Sequence, residues 1–429
     1  MSADRSVFGP IDLRMLTEDR RLEIDPDTWE TSNRIVAAVR DRGEVALRRY
    51  AERFDGLERG AALARDADEL ARAFGGLSSE DQALLSRTAG QIQTFARAQR
   101  EALSDAEVLV PGGRAGHRVM PMRRAGCYAP GGRFPLPSSV LMTAVVARVA
   151  GVAEVWVASP NPAPITLAAA HVAGADGFLV VGGAQAIAAL AHGVGPCPRC
   201  DVIVGPGNRY VTAAKQVVSS TVAIDMLAGP SELVIVADHT AEARLVAADL
   251  LAQAEHDPEA WPVLIATSEA LVRRVVVELE HQLANLPGAD TARAALGHGG
   301  YVVTEGRAAA LELCDRIAPE HVELLLDDPH SAARTLRYYG GLFIGAASAE
   351  VFGDYGVGPN HVLPTAGTGR HRGGLSVFDF LSVRTWLAMD LPQAFAPDTA
   401  RLARLEGLEA HARSAEMRGT LATGSTDKP

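Results

Sequence analysis

Several polar side chains stand in stretches of the chain that otherwise look like hydrophobic core. They carry amide, imidazole and carboxylate groups, at Gln253, His256, Glu320, His321, Asp354, His361, Glu406 and His411. Burying such a group without a partner costs on the order of several kcal/mol, so we expect these side chains to be paired or bound to a metal ion. Together they offer metal ligands and an acid/base pair, which an enzyme needs and a structural scaffold does not.

Gln253 and His256 lie three residues apart on a predicted helix and therefore share one of its faces. A pair so spaced can bind a metal ion; alternatively, the two are polar residues at a helix end that Pro258 terminates. Asp354 and His411 would complete a set of four nitrogen and oxygen ligands. Such a set suits zinc, manganese and cobalt comparably.

Glu320 and His321 follow Pro319 and precede the predicted strand Val322–Leu326. At the end of a strand both side chains can face a cleft, where a histidine beside a carboxylate is suited to act as a general base near neutral pH. The alternative is a glutamate at a helix end followed by a capping histidine.

Glu406 and His411 are five residues apart, which corresponds to about 140° around an ideal helix. They therefore do not share one helix face. Either Gly407 bends the segment, or the two residues address a site from different sides.

Glycine-rich turns follow several predicted strands, but none has the G-x-G-x-x-G pattern of a dinucleotide-binding loop. Gly205–Tyr210 comes nearest and lacks the third glycine. Asp225, about 20 positions later, matches the acidic ribose-binding position, although such a match is common by chance. The loop Pro130–Arg133 either presents backbone amides to a phosphate or is a plain turn. These residues alone leave a nicotinamide cofactor open.

Cysteine and lysine are scarce, which limits the possible chemistry. The four cysteines do not make a disulfide scaffold. Cys197 and Cys200 form a lone C-x-x-C that is redox-active, half of a zinc site or simply part of a loop. Cys127 is a candidate thiol nucleophile for an aldehyde intermediate. A Schiff-base or P-loop mechanism would depend on Lys215, and no P-loop motif surrounds that lysine.

The overall composition is that of a globular protein with more than one domain. The chain has 429 residues, of which 48% are hydrophobic, and a net charge of −11. That charge argues against a nucleic-acid partner, because phosphate binding needs a basic surface. No apolar run is long enough for a membrane span. The N-terminus lacks the apolar core of a signal peptide, so we expect the protein in the cytoplasm.

Apolar runs alternate with glycine turns and alanine-rich helices from Gly126 onward, a pattern typical of parallel doubly wound sheets. In such sheets ligands bind at the carboxyl ends of the strands. A first series of predicted strands comprises Val155–Pro160, Phe178–Gly183 and Asp201–Asn208. A second series comprises Leu233–Asp238, Val263–Thr267, Tyr301–Thr304, Val322–Leu326 and Gly341–Gly345.

We therefore predict an α/β protein with two doubly wound units between helical segments. Before the sheets, apolar spacing predicts the helices Thr28–Tyr50 and Ser79–Leu103 and a β-rich stretch, Ala106–Met122. The predicted domains are a helical region at 1–125 whose later part packs with the second α/β unit, a first α/β unit at 126–231, a second at 232–373, and a helical tail at 374–429. The tail is too small to form its own core, so it should pack on another unit or subunit.

Ordered motifs along nearly the whole chain resemble those of the histidinol dehydrogenase family. They are Y-A-P-G-G-R, S-S-V-L-M, G-G-A-Q-A-I-A-A-L, V-G-P-G-N-R-Y-V, D-M-L-A-G-P-S-E, Q-A-E-H, P-E-H-V-E, G-D-Y-x-x-G-x-N-H-V-L-P-T and E-G-L-E-A-H. Their order and spacing make the resemblance specific. It implies two incomplete Rossmann-like units and a homodimer with shared active sites. It also implies oxidation of L-histidinol to L-histidine, the last steps of histidine biosynthesis, in two NAD-dependent steps through bound L-histidinal.

The resemblance also implies a role for each candidate residue. One Zn²⁺ per subunit would be bound by Gln253, His256, Asp354 and His411, with the tail carrying Glu406 and His411 reaching the partner subunit. Glu320 and His321 would be the acid/base residues: His321 takes the hydroxyl proton and Glu320 activates water. Substrate contacts would come from Ser231, His361 and Glu406 together with His321 and the zinc ligands. NAD contacts would come from Tyr128, Gln185 and Asn208.

The substrate class follows from two acidic residues. Relatives that act on other alcohols, such as sulfonated diols, typically lack the aspartate of G-D-Y and the glutamate of P-E-H. Both are present here, as Asp354 and Glu320, which favours an imidazole or amino alcohol that a metal ion can orient. The alternative is a paralogous zinc- and NAD-dependent dehydrogenase for a different amino alcohol. The acid/base pair argues against a binding protein without catalytic activity.

Overall fold

A computed structural model describes residues 7–17, 24–131 and 134–421. The chain divides into two compact units, one formed by Met1–Ala98 with Met122–Phe380 and the other by Gln99–Pro121 with Leu381–Pro429. Within the described ranges, no helix combines the length and apolar character that crossing a membrane requires. The boundaries of the four domains predicted from the sequence stay predictions.

The N-terminal part is mainly helical, as predicted, but the predicted helix Thr28–Tyr50 is divided in two. Gly43, with φ of 60°, separates the two helices; this left-handed conformation costs glycine little and ends a helix. The elements up to Pro121 are α1 Leu13–Thr17, α2 Pro26–Arg42, α3 Glu44–Phe54, β1 Ala64–Asp66, α4 Ala67–Gly75, α5 Ser79–Glu101, β2 Ala106–Val110 and β3 Gly113–Pro121.

The first predicted series of strands forms a parallel sheet, closed at one edge by the antiparallel strand β1. The strand order is β1-β6-β5-β4-β7-β8, so the order reverses beside β4, where doubly wound sheets bind ligands. α2 packs on α8 and α9, while α6 packs on α7. These elements are β4 Arg124–Tyr128, α6 Pro137–Ala150, β5 Glu154–Ala158, α7 Pro164–Val172, β6 Gly177–Leu179, α8 Gly183–His192, β7 Val202–Val204, α9 Arg209–Val218 and β8 Ala223–Ile224.

The second predicted series also forms a sheet, in which every pair of strands is parallel. Its order, β11-β10-β9-β12-β13, reverses beside β9. β9, β10 and β12 are buried along their whole length, which explains why most of their residues are apolar. The elements are β9 Glu232–Ala237, α10 Ala243–Ala254, β10 Trp261–Ala266, α11 Glu269–Leu283, α12 Ala289–His298, β11 Gly300–Val303, α13 Arg307–Ile317, β12 His321–Leu325, α14 Pro329–Ala333, β13 Gly341–Ile344 and α15 Glu350–Asp354.

The C-terminal tail is not purely helical, which corrects the prediction. Leu381–Met389 (β14) is a strand that pairs antiparallel with β3, and β3 also pairs with β2. Its alternating side chains favour a strand, but its pairing partner lies far away in the sequence. Two helices follow, α16 Ala396–Leu405 and α17 Glu409–Gly419, and the short 3-10 helices of the chain are Thr368–Arg370, Val377–Phe380 and Pro392–Ala394.

Candidate active site

The candidate acid/base residues lie at the amino edge of the second sheet. Glu320 directly precedes β12, and His321 is the first residue of that strand. β12 pairs with β9, which begins at Glu232, so Ser231 and Glu232 lie beside the pair. The structure thus brings together residues that are almost 90 positions apart in the sequence, as the hydrogen bonds between them show.

Glu320 is held by two hydrogen bonds. Its Oε2 atom accepts one from the hydroxyl of Ser231 (2.7 Å) and one from the backbone N–H of Glu232 (2.7 Å). Hydrogen bonds to a charged acceptor are stronger than neutral ones, so the carboxylate has a fixed position. Because both bonds engage Oε2, the Oε1 atom is available to a further partner such as water.

The hydrogen bonding of His321 determines which ring nitrogen can act as a base. Nδ1 lies 2.9 Å from the backbone oxygen of Glu232. A carbonyl oxygen can only accept, so Nδ1 carries the hydrogen and the neutral ring has its lone pair on Nε2. Nε2 is buried and has no hydrogen-bond partner among the described residues. In the neutral ring, Nε2 is therefore the nitrogen that can accept a proton.

Three carboxylates surround His321. Nδ1 lies 3.5 Å from Glu320 Oε2 and 3.8 Å from Glu350 Oε1, and Nε2 lies 3.8 Å from Asp354 Oδ1. Burial lowers the pKa of His321, but the carboxylates raise it more, so the pKa is well above its ordinary value. Burial raises the pKa of Glu350 to about 8. This raised pKa of His321 favours the protonated ring, which cannot act as a base. A cation bound beside these carboxylates would compensate their negative charge and lower the pKa of His321, so that Nε2 could accept a proton.

Donor atoms suitable for a metal ion converge beside this pair. One ligand atom each from His256, Glu350 and Asp354 lies within 4.8 Å of the others. Gln253 is fully buried, and neither polar atom of its amide has a hydrogen-bond partner in the described part of the chain. An unsatisfied buried amide costs roughly 1–3 kcal/mol, which binding to an ion would offset. The residues present thus fit a metal ion with nitrogen and oxygen ligands.

Glu350 is a site residue that the sequence reasoning missed. It lies four residues before Asp354 on α15, so both side chains share a helix face. That spacing was a usable signal. The backbone N–H of Glu350 donates to the buried carboxylate of Glu323 (2.7 Å), which anchors the start of α15.

His361 lies beside Asp354 and connects this site to the first sheet. Its Nδ1 donates to the backbone oxygen of Asp354 (2.9 Å), and its Nε2 lies 3.4 Å from the hydroxyl of Ser139, near the start of α6. Burial lowers the pKa of His361, so the ring is neutral and both nitrogens are engaged.

Glu406 and His411, the remaining predicted site residues, belong to the second compact unit, and both are exposed. Glu406 follows the end of α16, and His411 lies on α17. Gly407, with φ of 78°, lies between the two helices and interrupts the helical path, as the first alternative predicted. Whether the two residues address a site from different sides stays a prediction.

A cavity of about 640 Å³ opens at the carboxyl edge of the first sheet, and Tyr128, Gln185 and Asn208 all line it. The hydroxyl of Tyr128 accepts from the N–H of Gly183 (3.1 Å), and Gln185 donates to Asp55 (3.1 Å). Asn208 caps α9 by accepting from two backbone N–H groups. The volume suits a small-molecule cofactor, and these polar groups are already satisfied within the protein.

Asp225 does not line this cavity, so its match to a ribose-binding position is wrong. It is fully buried, forms an ion pair with Lys215 and accepts from the N–H of Gly205 (2.7 Å). Lys215 also donates to the carbonyl of Gly205 (3.0 Å). The pair fixes the turn before Asn208. Of the predicted phosphate loop, residues 130 and 131 line the cavity, and residues 132 and 133 lie outside the described residues.

The cysteines are core residues rather than reactive groups. Burial raises the pKa of Cys127 and that of Cys197 to about 12, and it raises the pKa of Cys200 well above the ordinary thiol value. A thiol with such a pKa forms almost no thiolate near neutral pH, and the thiolate is the nucleophile and metal ligand. The redox, zinc and nucleophile alternatives for these residues are therefore not supported.

The structure combines candidate acid/base residues, side chains that fit a metal ion and a separate cavity of cofactor size. On an α/β fold with parallel sheets, these are features expected of a dehydrogenase. The family model for histidinol dehydrogenase matches residues 19–419. Histidinol dehydrogenase from Thermus thermophilus is 46% identical over 96% of this chain and 100% of its own length, and that from Nitratidesulfovibrio vulgaris is 45% identical over 90% and 91%. The structure of histidinol dehydrogenase from Elizabethkingia anophelis matches with a TM-score of 0.90 at 30% identity, covering 97% of this chain and 99% of that one.

The chain therefore belongs to the histidinol dehydrogenase family, which confirms the resemblance noted in the sequence. Membership makes it an oxidoreductase that acts on alcohol and aldehyde groups, within histidine biosynthesis.

Proposed function

We propose that this protein catalyses the NAD- and zinc-dependent four-electron oxidation of L-histidinol to L-histidine through bound L-histidinal. The observation that carries the proposal is the Glu320–His321 pair. It combines one carboxylate in a fixed position with one buried imidazole nitrogen that has no hydrogen-bond partner among the described residues, beside a cluster of side chains that could hold a metal ion. The names of the relatives suggest the substrate, and the parallel sheets with a cavity at a carboxyl edge support a dinucleotide as the cofactor.

The residues of the pair divide the proton transfers between them. His321 takes the hydroxyl proton of the alcohol on Nε2, while its Nδ1–H bond to Glu232 keeps the ring in place. Glu320 uses Oε1 to take a proton from the water that attacks the aldehyde carbon. After releasing the first proton to solvent, His321 takes the hydroxyl proton of the resulting hydrate. Two molecules of a nicotinamide dinucleotide, bound in the cavity one after the other, would each accept one hydride, and Tyr128, Gln185 and Asn208 would position them.

Gln253, His256, Asp354 and His411 would hold the zinc ion, which when bound would act as a Lewis acid and orient the imidazole and amine of the substrate. The unpartnered amide of Gln253 supports this assignment. The test is His256→Asn, which should lose metal and activity together. Full zinc content with a normal rate in this variant would show that the ligand assignment is wrong.

We also propose a homodimer in which the tail with Glu406 and His411 completes the partner's site. The second unit exposes several large apolar side chains, which on monomeric proteins are normally few and scattered: Val108, Leu109, Val383, Leu387, Leu402, Leu405 and Met417. Ser231, His361 and Glu406 would then contact the substrate. The biosynthetic family favours a cytoplasmic location.

Mixed dimers test the shared site. A dimer of His321→Asn and His411→Asn subunits contains one site with both changes and one with neither. We therefore expect activity to return on mixing two inactive variants. Verified heterodimers without any activity would contradict the exchanged tail.

The reaction itself is tested by the amount of NADH formed per mole of L-histidinol by purified, zinc-loaded protein. Two equivalents, with histidine as the product, are expected. One equivalent would mean that oxidation stops at the aldehyde. No turnover by a folded, zinc-containing dimer would instead point to a different amino alcohol as the substrate.

A further inference from the structure

We propose that Asp55, from the N-terminal helical region, binds the ribose diol of the dinucleotide and makes the cavity selective for NAD over NADP. The inference rests on the proposed function, because that function assigns the cavity to a nicotinamide dinucleotide. It adds a specificity-determining residue from a segment outside both α/β sheets.

The usual source of a ribose-binding carboxylate is missing in this sheet. In doubly wound dinucleotide-binding folds an acidic residue about 20 positions after the glycine turn hydrogen-bonds the ribose hydroxyls. In the β4–α6–β5 unit, that position corresponds to the end of β5. The chain there reads Ala158, Ser159 and Pro160, and none of these residues is acidic. Asp225 is engaged by Lys215 and Gly205. A ribose in this cavity therefore needs a carboxylate from elsewhere.

Asp55 occupies the required place. It directly follows α3 and lines the cavity together with Tyr128, Gln185 and Asn208. Its Oδ2 atom accepts from the backbone N–H of Gly182 (3.0 Å) and from the amide of Gln185 (3.1 Å). Its Oδ1 atom accepts no hydrogen bond from the residues that the structure describes. One oxygen thus fixes the carboxylate, and the other is available to a hydroxyl group.

The same carboxylate disfavours a 2′-phosphate. Among the lining residues in the described ranges, Asp55 is the only one with a charged side chain. A phosphate placed here would meet a negative charge in a largely buried setting, where repulsion is stronger than in water. Helix N-termini commonly bind phosphate, but at the N-terminus of α8 two of the N–H groups are already engaged within the protein. Its N–H groups at Gly182 and Gly183 are bonded to Asp55 and Tyr128.

The test compares NADH and NADPH binding by fluorescence titration in three proteins: wild type, Asp55→Asn and Glu52→Gln. Asparagine keeps an oxygen that can accept from Gly182 but removes the charge. Glu52 is exposed on α3 and does not line the cavity, so Glu52→Gln controls for the change in net charge. The ratio of the two dissociation constants does not depend on the active fraction of a preparation, so a purely structural defect would leave it unchanged.

We expect wild type and Glu52→Gln to prefer NADH over NADPH to the same extent. In Asp55→Asn this preference should fall by at least about tenfold, because a hydrogen bond to a charged group contributes that much to binding. An unchanged ratio in Asp55→Asn would overturn the role of Asp55, and continued oxidation of L-histidinol with NAD would then leave the proposed function standing. A wild-type protein that binds neither dinucleotide would overturn both the inference and the cofactor assignment.

Discussion

The two sheets share one pattern of strand order, but their candidate site residues lie at opposite edges. The two sets also differ in whether their polar atoms form hydrogen bonds within the protein. At the carboxyl edge of the first sheet, Tyr128, Gln185 and Asn208 are all hydrogen-bonded within the protein. At the amino edge of the second sheet, Gln253 and His321 keep buried polar atoms without partners among the described residues. Satisfied groups shape a preformed cavity, whereas unsatisfied ones indicate partners that come from outside the chain.

The difference has an energetic basis. An unsatisfied buried donor or acceptor costs roughly 1–3 kcal/mol, which is a large part of the net stability of a domain. Such a cost persists where function requires it, as at a metal or proton-transfer site. The second sheet accommodates the cost because the strands that carry the site are buried along their whole length. Four predictions test this contrast.

The largest effect is expected from His321→Asn. In the proposed mechanism the change removes the nitrogen that accepts the proton, so turnover should fall by about 10²–10⁴-fold, the usual contribution of general acid–base catalysis. Steady-state kinetics measures the loss, and metal analysis of the same sample should give nearly normal zinc content. Retention of more than a small fraction of wild-type turnover would remove His321 from the mechanism.

The next effect concerns stability at the first sheet. Lys215→Met leaves the buried carboxylate of Asp225 without its cation, which should lower the free energy of unfolding by about 3–5 kcal/mol. Chemical denaturation measures the change. The double variant Lys215→Met/Asp225→Asn should recover part of it, because no charge is then left buried. If the single variant unfolds like wild type, this ion pair does not hold the Gly205 turn.

A matched pair of glutamines tests the contrast directly. In metal-free protein, Gln253→Leu should raise the free energy of unfolding by about 1 kcal/mol, since it removes an unsatisfied amide. Gln185→Leu should lower it by about 1–3 kcal/mol, because Asp55 loses a donor. Chelator-treated samples and chemical denaturation provide the comparison. Zinc should stabilise wild type and Gln185→Leu but no longer Gln253→Leu. Equal destabilisation by both changes would contradict the distinction between the two edges.

The smallest effect is expected from Cys197→Ala. The thiol is buried in the core with a raised pKa, so its loss should cost only about 1 kcal/mol of stability. Turnover and zinc content should equal those of wild type. A thiol reagent should leave the native protein unmodified and label it only after unfolding. A loss of zinc in Cys197→Ala would restore the C-x-x-C motif as a functional site.

The sequence by itself determined the elements and the local pairs. Runs of buried apolar residues between glycine turns indicated both parallel sheets, because strands covered on both faces must be apolar throughout. The three-residue spacing of Gln253 and His256 and the adjacency of Glu320 and His321 needed no tertiary information either. The misjudged elements are those that local patterns do not decide: the helix break at Gly43 and strand β14, whose partner β3 lies more than 250 residues earlier.

Only the tertiary structure decided which groups meet. The pairing of β12 with β9 brings Ser231 to Glu320 and the Glu232 carbonyl to His321, and that carbonyl selects the ring nitrogen that can act as a base. Likewise, Asp55 lines the same cavity as loops that lie more than 70 residues later in the sequence. Strand order and helix packing set these contacts through many weak interactions across the whole chain, so no local spacing encodes them.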